Sequence, residues 1–519
     1  MKKDIAIIGG GIGGCLAALS AAKLGKNVVL TEETKWIGGQ LTSQAVPPDE
    51  HQWIEEFGCT KTYRQFRNEI RAYYKRNYPL NDTAMKSNHL NPGNAWVSRI
   101  AHEPKVALKV LYDFLQPYLS NGQIHLLLEH KITRAEVEHD EIKKVFIKNL
   151  RNAEEQSIEA QFFLDATELG DLLPLAGAEY SLGAESKDET GEYHALAEKN
   201  PEDMQSITHV FALEYAKGEN HTIQKPEMYD FWRNYRAPFL KHNQLSEYIP
   251  DAATGESKYL PVFPDGNSLG LWDYRRIIDA DQFEQGFFKG DISLINWPQN
   301  DYWGGSIIDV SEKKKEKHLF EAKQLSLSLL YWLQTEAPRR NGGIGYPELK
   351  LRPDIVGTND GLALHPYIRE SRRIKALHTV VEEDINADLR EDKGIKRLSD
   401  SVGIGAYRID LHPTTVTNRL FYAKSYPFEI PLGSLIPVRI KNLIPACKNI
   451  GSTQITNGCF RVHPVEWNIG EAAGTLAAFT MKNNSSLQEV FNDPHHIKEL
   501  QLLLERNGIA LHWPEVGAI

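Results

Sequence analysis

Gly9, Gly11 and Gly14 form a GxGxxG run, and the acid Glu32 stands about 20 residues further on. Residues of these types at this spacing can hold the pyrophosphate and ribose of a dinucleotide. Gly9 permits a tight turn, Gly11 lets the backbone approach the pyrophosphate, and Gly14 lets a helix pack closely on a strand. The Glu32 carboxylate would accept hydrogen bonds from ribose hydroxyls. Ile12 inside the run and Glu33 beside the acid are further candidate contacts. This chemistry needs a strand, a turn and a helix in that order. Asp4 to Ile8 reads as a short buried strand. Leu16 to Leu24 reads as a helix with small residues on its packing side, Gly25 ends it, and Asn27 to Leu30 is a second strand. The helix N-terminus would point unpaired N–H groups and partial positive charge at the phosphates.

A second glycine pair follows in Trp36-Ile37-Gly38-Gly39-Gln40-Leu41-Thr42-Ser43. Two adjacent glycines let backbone lie against a ligand. This loop resembles that of the glutathione-reductase-type FAD fold, where it runs along the pyrophosphate toward the flavin. The resemblance implies FAD as cofactor and places Gln40, Leu41 and Thr42 near the isoalloxazine.

A flavin takes hydride at N5, so the protein must hold a C–H donor there and manage one proton. Strand alternation in Tyr407-Arg408-Ile409-Asp410-Leu411-His412 puts Arg408, Asp410 and His412 on one face. His412 is the candidate base, with Asp410 or Arg408 to tune it. Arg369-Glu370-Ser371-Arg372-Arg373 is the densest basic cluster. If helical, it groups Arg369 with Arg372 and Arg373, to clamp a substrate carboxylate or to tie domains together. Arg461 and His463 precede a helix of small residues, Trp467 to Ala478, that includes Gly470, Ala472 and Ala473. Small residues and a free N-terminus suit close packing on a flat ring. His463 is therefore a second candidate base. Cys59 reads as neither a redox thiol nor a flavin link.

Between these segments the pattern changes several times. Residues 46–119 look helical. Tyr63, Phe66, Arg67, Arg71, Tyr73 and Tyr74 form either a core stripe or a lid. Ile124 to Leu128, Ile132 to Val137, Ile142 to Ile147 and Ile158 to Phe163 read as a β-meander. Phe162 to Asp171 then ends a buried strand in small residues, a glycine and acids. Ile132, Ala166, Thr167 and, later, Gly451 complete the candidate cofactor contacts. The expected organisation is a first part of the FAD-binding domain at 1–180, with the meander at 124–163. A tryptophan-rich α+β substrate or cap domain at 181–400 follows, with a long helix from Ser311 to Glu336. Residues 401–482 return to the FAD-binding domain and 483–519 form a helical tail. The fold class is α/β, a Rossmann-like domain discontinuous in sequence.

Composition narrows the partners. With 519 residues, 41% of them hydrophobic, and a net charge of −10, the chain fits a multidomain globular protein and not a nucleic-acid or anionic-membrane binder. No run spans a bilayer. Four scattered cysteines make neither a disulfide framework nor a metal site, so no metal is expected and the expected compartment is the cytoplasm.

The blocks IIGGGIGG, WIGGQLTS, FFLDATELGDLLPLAGAEY, YIRESRRI, DSVGIGAYRIDLHP, IPLGSLIPVRIKNLIPACKNIG and RVHPVEWNIGEAAG together resemble a bacterial family of FAD-dependent oxidoreductases. The resemblance covers nearly the whole chain, with a departure at Lys448-Asn449, where the family often has glycine or arginine. The resemblance implies FAD and names no reaction; the expected activity is a dehydrogenase or oxidase that takes hydride from a CH–OH or CH–NH carbon of a small polar metabolite. An electron acceptor, oxygen or a redox partner, would complete the cycle. A non-redox flavoenzyme, an isomerase or hydratase, is the alternative.

Overall fold

The computed structural model describes residues 1–251, 254–266, 269–340 and 342–519. The apolar run Ile5–Ile8 (β1) is fully buried and leads through the glycine turn into Ile12–Lys23 (α1). Gly25, at φ 80°, reverses the chain into Val28–Glu32 (β2), which pairs in parallel with β1. Lys61–Asn77 (α2) starts at Thr60, whose hydroxyl accepts from the Tyr63 N–H. Tyr63, Phe66, Arg67 and Tyr74 are wholly buried, so its aromatic series is a core stripe. Pro104–Ser120 (α3) leads into Ile124–Leu128 (β3).

Here the structure corrects the expected meander. β3 pairs in parallel with β2 and belongs to the cofactor sheet. The meander is His130–Glu138 (β4), Glu141–Asn149 (β5) and Glu155–Glu159 (β6), all antiparallel. The run read as Ile158 to Phe163 is two strands. The chain leaves the meander after Glu159 and returns to the main sheet as Phe162–Asp165 (β7). Leu443–Pro445 (β8) then joins β7 from the far end of the chain. The order β8-β7-β1-β2-β3, wholly parallel, is a Rossmann-type sheet completed by a distant segment.

Between β7 and β8 lies a four-stranded antiparallel sheet in the order Arg276–Ile278, Ile292–Ile295, Phe211–Tyr215, Leu349–Leu351. Glu312–Thr335 (α4) is the expected long helix, capped by Ser311. Leu325, Leu329, Leu330 and Leu333 of α4 share a core with Trp232, Trp272, Trp297 and Trp332. These tryptophans are core residues.

The last block contains Gln454–Phe460 (α5) and His463–Asn483 (α6). The small residues of α6 face α1. A methyl group on Gly470 would lie 2.3 Å from the Gly13 carbonyl oxygen, and one on Gly474 would lie 2.2 Å from that of Ala17. Ala472 and Ala473 are buried in the same core. The expectation that these residues pack on a flavin ring is therefore corrected. Small side chains suit helix–helix contact equally well, and α1 fills that face. In the tail, Ser486 and Glu489 form the expected capping box.

Candidate active site

A cavity of ≈ 260 Å³ opens at the C-terminal ends of β1, β2 and β7. Gly9 makes the turn at φ 100°, where a side chain would meet the Ala166 carbonyl at 2.2 Å. A methyl on Gly14 would lie 2.0 Å from the Gly9 carbonyl, so helix and strand touch through backbone alone. Gly9, Gly11, Glu32, Glu33, Gly39, Ile132, Ala166 and Thr167 all line the cavity. Ile12 opens α1 behind them. Gly38, at φ 102°, turns the chain so that Gly39 faces Gly11. Glu32 accepts from the Gly10 N–H at 3.0 Å and the Thr34 N–H at 2.8 Å. Burial pushes its carboxyl up to about 7. Glu33 pairs with Lys131 at 2.8 Å.

Three further charged residues, Glu168, Lys448 and Glu466, stand beside this cradle. Lys448 is wholly buried and bonded to Glu168 and Glu466. The Glu168 carboxylate lies over the two glycines, 2.9 Å from where a Gly11 side chain would begin and 2.5 Å from that of Gly39. Glu168 is thus a flexible side chain standing against both glycines.

The fit to a large polar cofactor is carried by buried polar atoms without protein partners. Gln40 Oε1 is one, on the loop expected to approach the flavin. Both ring nitrogens of His209, which lines the cavity, and Ser371 Oγ are others. Burial pushes His209 down to about 3, so it is neutral. Groups of this kind are ordinarily satisfied. Leu41 and Thr42 sit in the same buried loop, where the Thr42 hydroxyl donates to the Ile37 carbonyl. Gly451 is not in the cavity. It lets the chain pass the His378 carbonyl, 2.5 Å from where its side chain would start.

A second cavity, of ≈ 240 Å³, holds His412, Asp410 and Asp301. Strand Ile409–Leu411 buries Ile409 and Leu411 and turns Asp410 and His412 to the cavity, as the alternation requires. His412 Nδ1 donates to Asp301 at 2.5 Å, and its Nε2 lies 3.6 Å from Asp410. Asp301 also accepts from Arg369 at 2.8 Å and Thr208 at 2.6 Å. Thr208 adjoins His209 in sequence, so the backbone there runs from one cavity to the other. A second link runs through Arg461. Its carbonyl accepts from the Gln40 amide at 2.9 Å, and its guanidinium donates to the Asp410 carbonyl at 3.0 Å. Burial would raise the Asp410 carboxyl, but His412 and then Arg461 outweigh that and hold it well below the usual carboxylate range.

Other expected bases and clamps have different roles. Arg369 to Arg373 is extended, flanked by the strand pairs at Tyr367–Ile368 and Arg373–Ile374, and not a helix. Its arginines go to separate acids. Arg369 holds Asp301, Arg372 bridges Asp171 and Asp309, and Arg373 binds Glu185 and Glu370. Arg369 positions the Asp301–His412 pair, and Arg372 ties the turn after β7 to the segment at Asp309. His463 is fully buried with both nitrogens used: Nδ1 accepts from the Asp49 N–H at 3.1 Å and Nε2 donates to the Val46 carbonyl at 3.1 Å. Burial pushes it down to about 4. It has no lone pair to offer as a base.

A parallel sheet ending in a glycine cradle, an acid at the end of its second strand and a returning C-terminal strand are features of a dinucleotide-binding flavoprotein. The family model described as FAD dependent oxidoreductase matches residues 4–504, and the chain belongs to that family. The family's description names FAD as the cofactor and oxidation–reduction as the class of reaction. No curated protein sequence matches it. Among solved structures it is similar to the E. coli quinol fumarate reductase subunit FrdA, at 12% identity over 98% of this chain and 74% of that one, with a TM-score of 0.33. It is also similar to the myxobacterial halogenase CndH, at 15% identity over 42% of this chain and 44% of that one, with a TM-score of 0.24. L-proline dehydrogenase from P. horikoshii matches at 17% identity over 37% of this chain and 25% of that one, with a TM-score of 0.19. The matched region spans less than half the length of the halogenase and of the proline dehydrogenase. Among the described residues no helix is long and apolar enough to cross a membrane.

Proposed function

We propose that the protein oxidises a CH–OH or CH–NH carbon of a small polar metabolite bound beside His412. The observation that carries this reading is the Asp301–His412 pair in a cavity of its own, joined to the cofactor loop through Arg461 and Gln40. FAD, when bound, supplies the acceptor for the substrate's hydride. The chain supplies the rest. Asp301, fixed by Arg369, holds the Nδ1–H of His412 and leaves Nε2 free to take the proton of the substrate's hydroxyl or amine as its carbon gives up hydride. The imidazolium so formed lies between Asp301 and Asp410, both anionic. Glu32 and Glu33 would hold the ribose end of the cofactor, and Gly9, Gly11 and Gly39 would give its pyrophosphate room. Oxygen or a redox partner then collects the electrons.

The test is His412→Gln. The variant keeps its FAD while flavin reduction by substrate slows by ~10²–10⁴. Unchanged reduction kinetics would remove His412 from the reaction.

A further inference from the structure

The His412 cavity is rich in acceptors. Gln244 and Gln299 line it, are only 3% and 2% exposed, and each leaves Oε1 without a partner. Their orientation is set by the other end of each amide. Gln244 Nε2 donates to the Pro298 and Gln299 carbonyls, both at 3.0 Å. Gln299 Nε2 donates to the Ser246 carbonyl at 3.1 Å. Flipping either amide would set oxygen against oxygen. A buried carbonyl oxygen left unpaired costs about 1–3 kcal/mol, so two in one cavity point to a ligand that donates to both.

The charged groups agree. Asp410 offers a partly exposed carboxylate to the cavity, and Arg461 lies behind it at 3.7 Å. Asp301 is backed by Arg369 in the same way. A carboxylate compensated from behind is a fixed acceptor with little net charge to attract a cation. Lys258 also lines the cavity but is exposed to solvent, and the buried guanidiniums offer an anion little. The terminal nitrogens of Arg369 are spent on Asp301, Thr208 and the Ser206 carbonyl, and those of Arg461 on Tyr367 and the Asp410 carbonyl. Phe239 and Trp303 supply ring surface to the same cavity. A wider cleft of ≈ 750 Å³ shares Tyr274 and Asp410 with it, and there Glu55 is held by Arg67 and Arg71, both at 2.6 Å. The arrangement of acceptor backed by guanidinium therefore continues outward.

We infer that this cavity binds a neutral polyhydroxylated molecule, a sugar or cyclic polyol, whose hydroxyls donate to Gln244, Gln299 and Asp410. This rests on the reading of His412 above and narrows its substrate to CH–OH compounds.

The experiment is equilibrium binding to the FAD-loaded protein, by calorimetry and by thermal shift. The probes are neutral D-glucose, D-mannose, D-sorbitol and myo-inositol, the carboxylate gluconate, and the cation glucosamine. At least one neutral probe should bind, with gluconate and glucosamine weaker by tenfold or more. Gln244→Leu and Gln299→Leu should each weaken the neutral probe about tenfold, with FAD content unchanged. Preferential binding of gluconate or glucosamine, no binding by any neutral probe, or neutral binding untouched by both leucine variants would overturn the assignment. If anions or amines bind and His412→Gln still blocks flavin reduction by them, the His412 site stands and only the polyol assignment falls.

Discussion

The two cavities are built in opposite ways. The cofactor cavity is made of backbone: glycines at 9, 11 and 39 removed from its walls, and the ends of strands that pair in register. The His412 cavity is made of side chains from separated segments, near 244, 274, 299 and 410, held by buried ion pairs. A backbone site tolerates change everywhere except where it must have no side chain. A side-chain site depends on each partner having its own counter-charge.

Gly11→Val should therefore do the greatest damage to the first cavity. A branched side chain there meets Glu168 at once and blocks the pyrophosphate, so FAD affinity falls ~10³-fold, about 4 kcal/mol. Absorbance of the purified variant checks this, and normal flavin content would break the contrast. Asp301→Asn attacks the second cavity. It leaves Arg369 buried without its carboxylate, and thermal unfolding should show a loss of ~3 kcal/mol or more with FAD still bound. Gly470→Ala separates packing from ligand contact. A methyl against the Gly13 carbonyl should cost ~1–3 kcal/mol of stability and leave the flavin spectrum unshifted. A spectral shift would restore Gly470 to the cofactor site.

The smallest expected effect is a pH dependence. Glu32, raised from 4.5 to about 7 by burial, holds its proton more tightly in the folded apoprotein than in the unfolded chain. Its contribution is fully present below pH 4.5 and is lost as pH rises through 7. Glu32→Gln removes that loss. Between pH 5 and 8 the apo variant should lose less stability than the parent, by on the order of 1 kcal/mol, in thermal unfolding at stepped pH. Parallel curves would mean that Glu32 is not the titrating group.

The same contrast governs what was legible in the sequence. The cofactor cradle shows in consecutive residues, because turn, helix and strand signals fall where backbone must bend. The long helix from Ser311 and the alternation of Asp410 and His412 were readable for the same reason. The strand at Ile124 was grouped with the meander because apolar alternation does not say which sheet a strand joins. The small residues around Gly470 carry no mark that separates a helix partner from a flavin. Asp301, Gln244, Gln299, Glu168 and Lys448 are single polar residues without a local pattern, and their roles exist only once distant segments meet. His463 was misread because a histidine near a helix start looks alike whether its nitrogens are free or bonded to backbone.

The most direct test of the account is anaerobic bleaching of the flavin band by a bound sugar or polyol, followed in the parent protein and in His412→Gln at matched FAD content. The account predicts rapid bleaching in the parent and a loss of ~10²–10⁴ in its rate in the variant. Equal rates in the two proteins would contradict it.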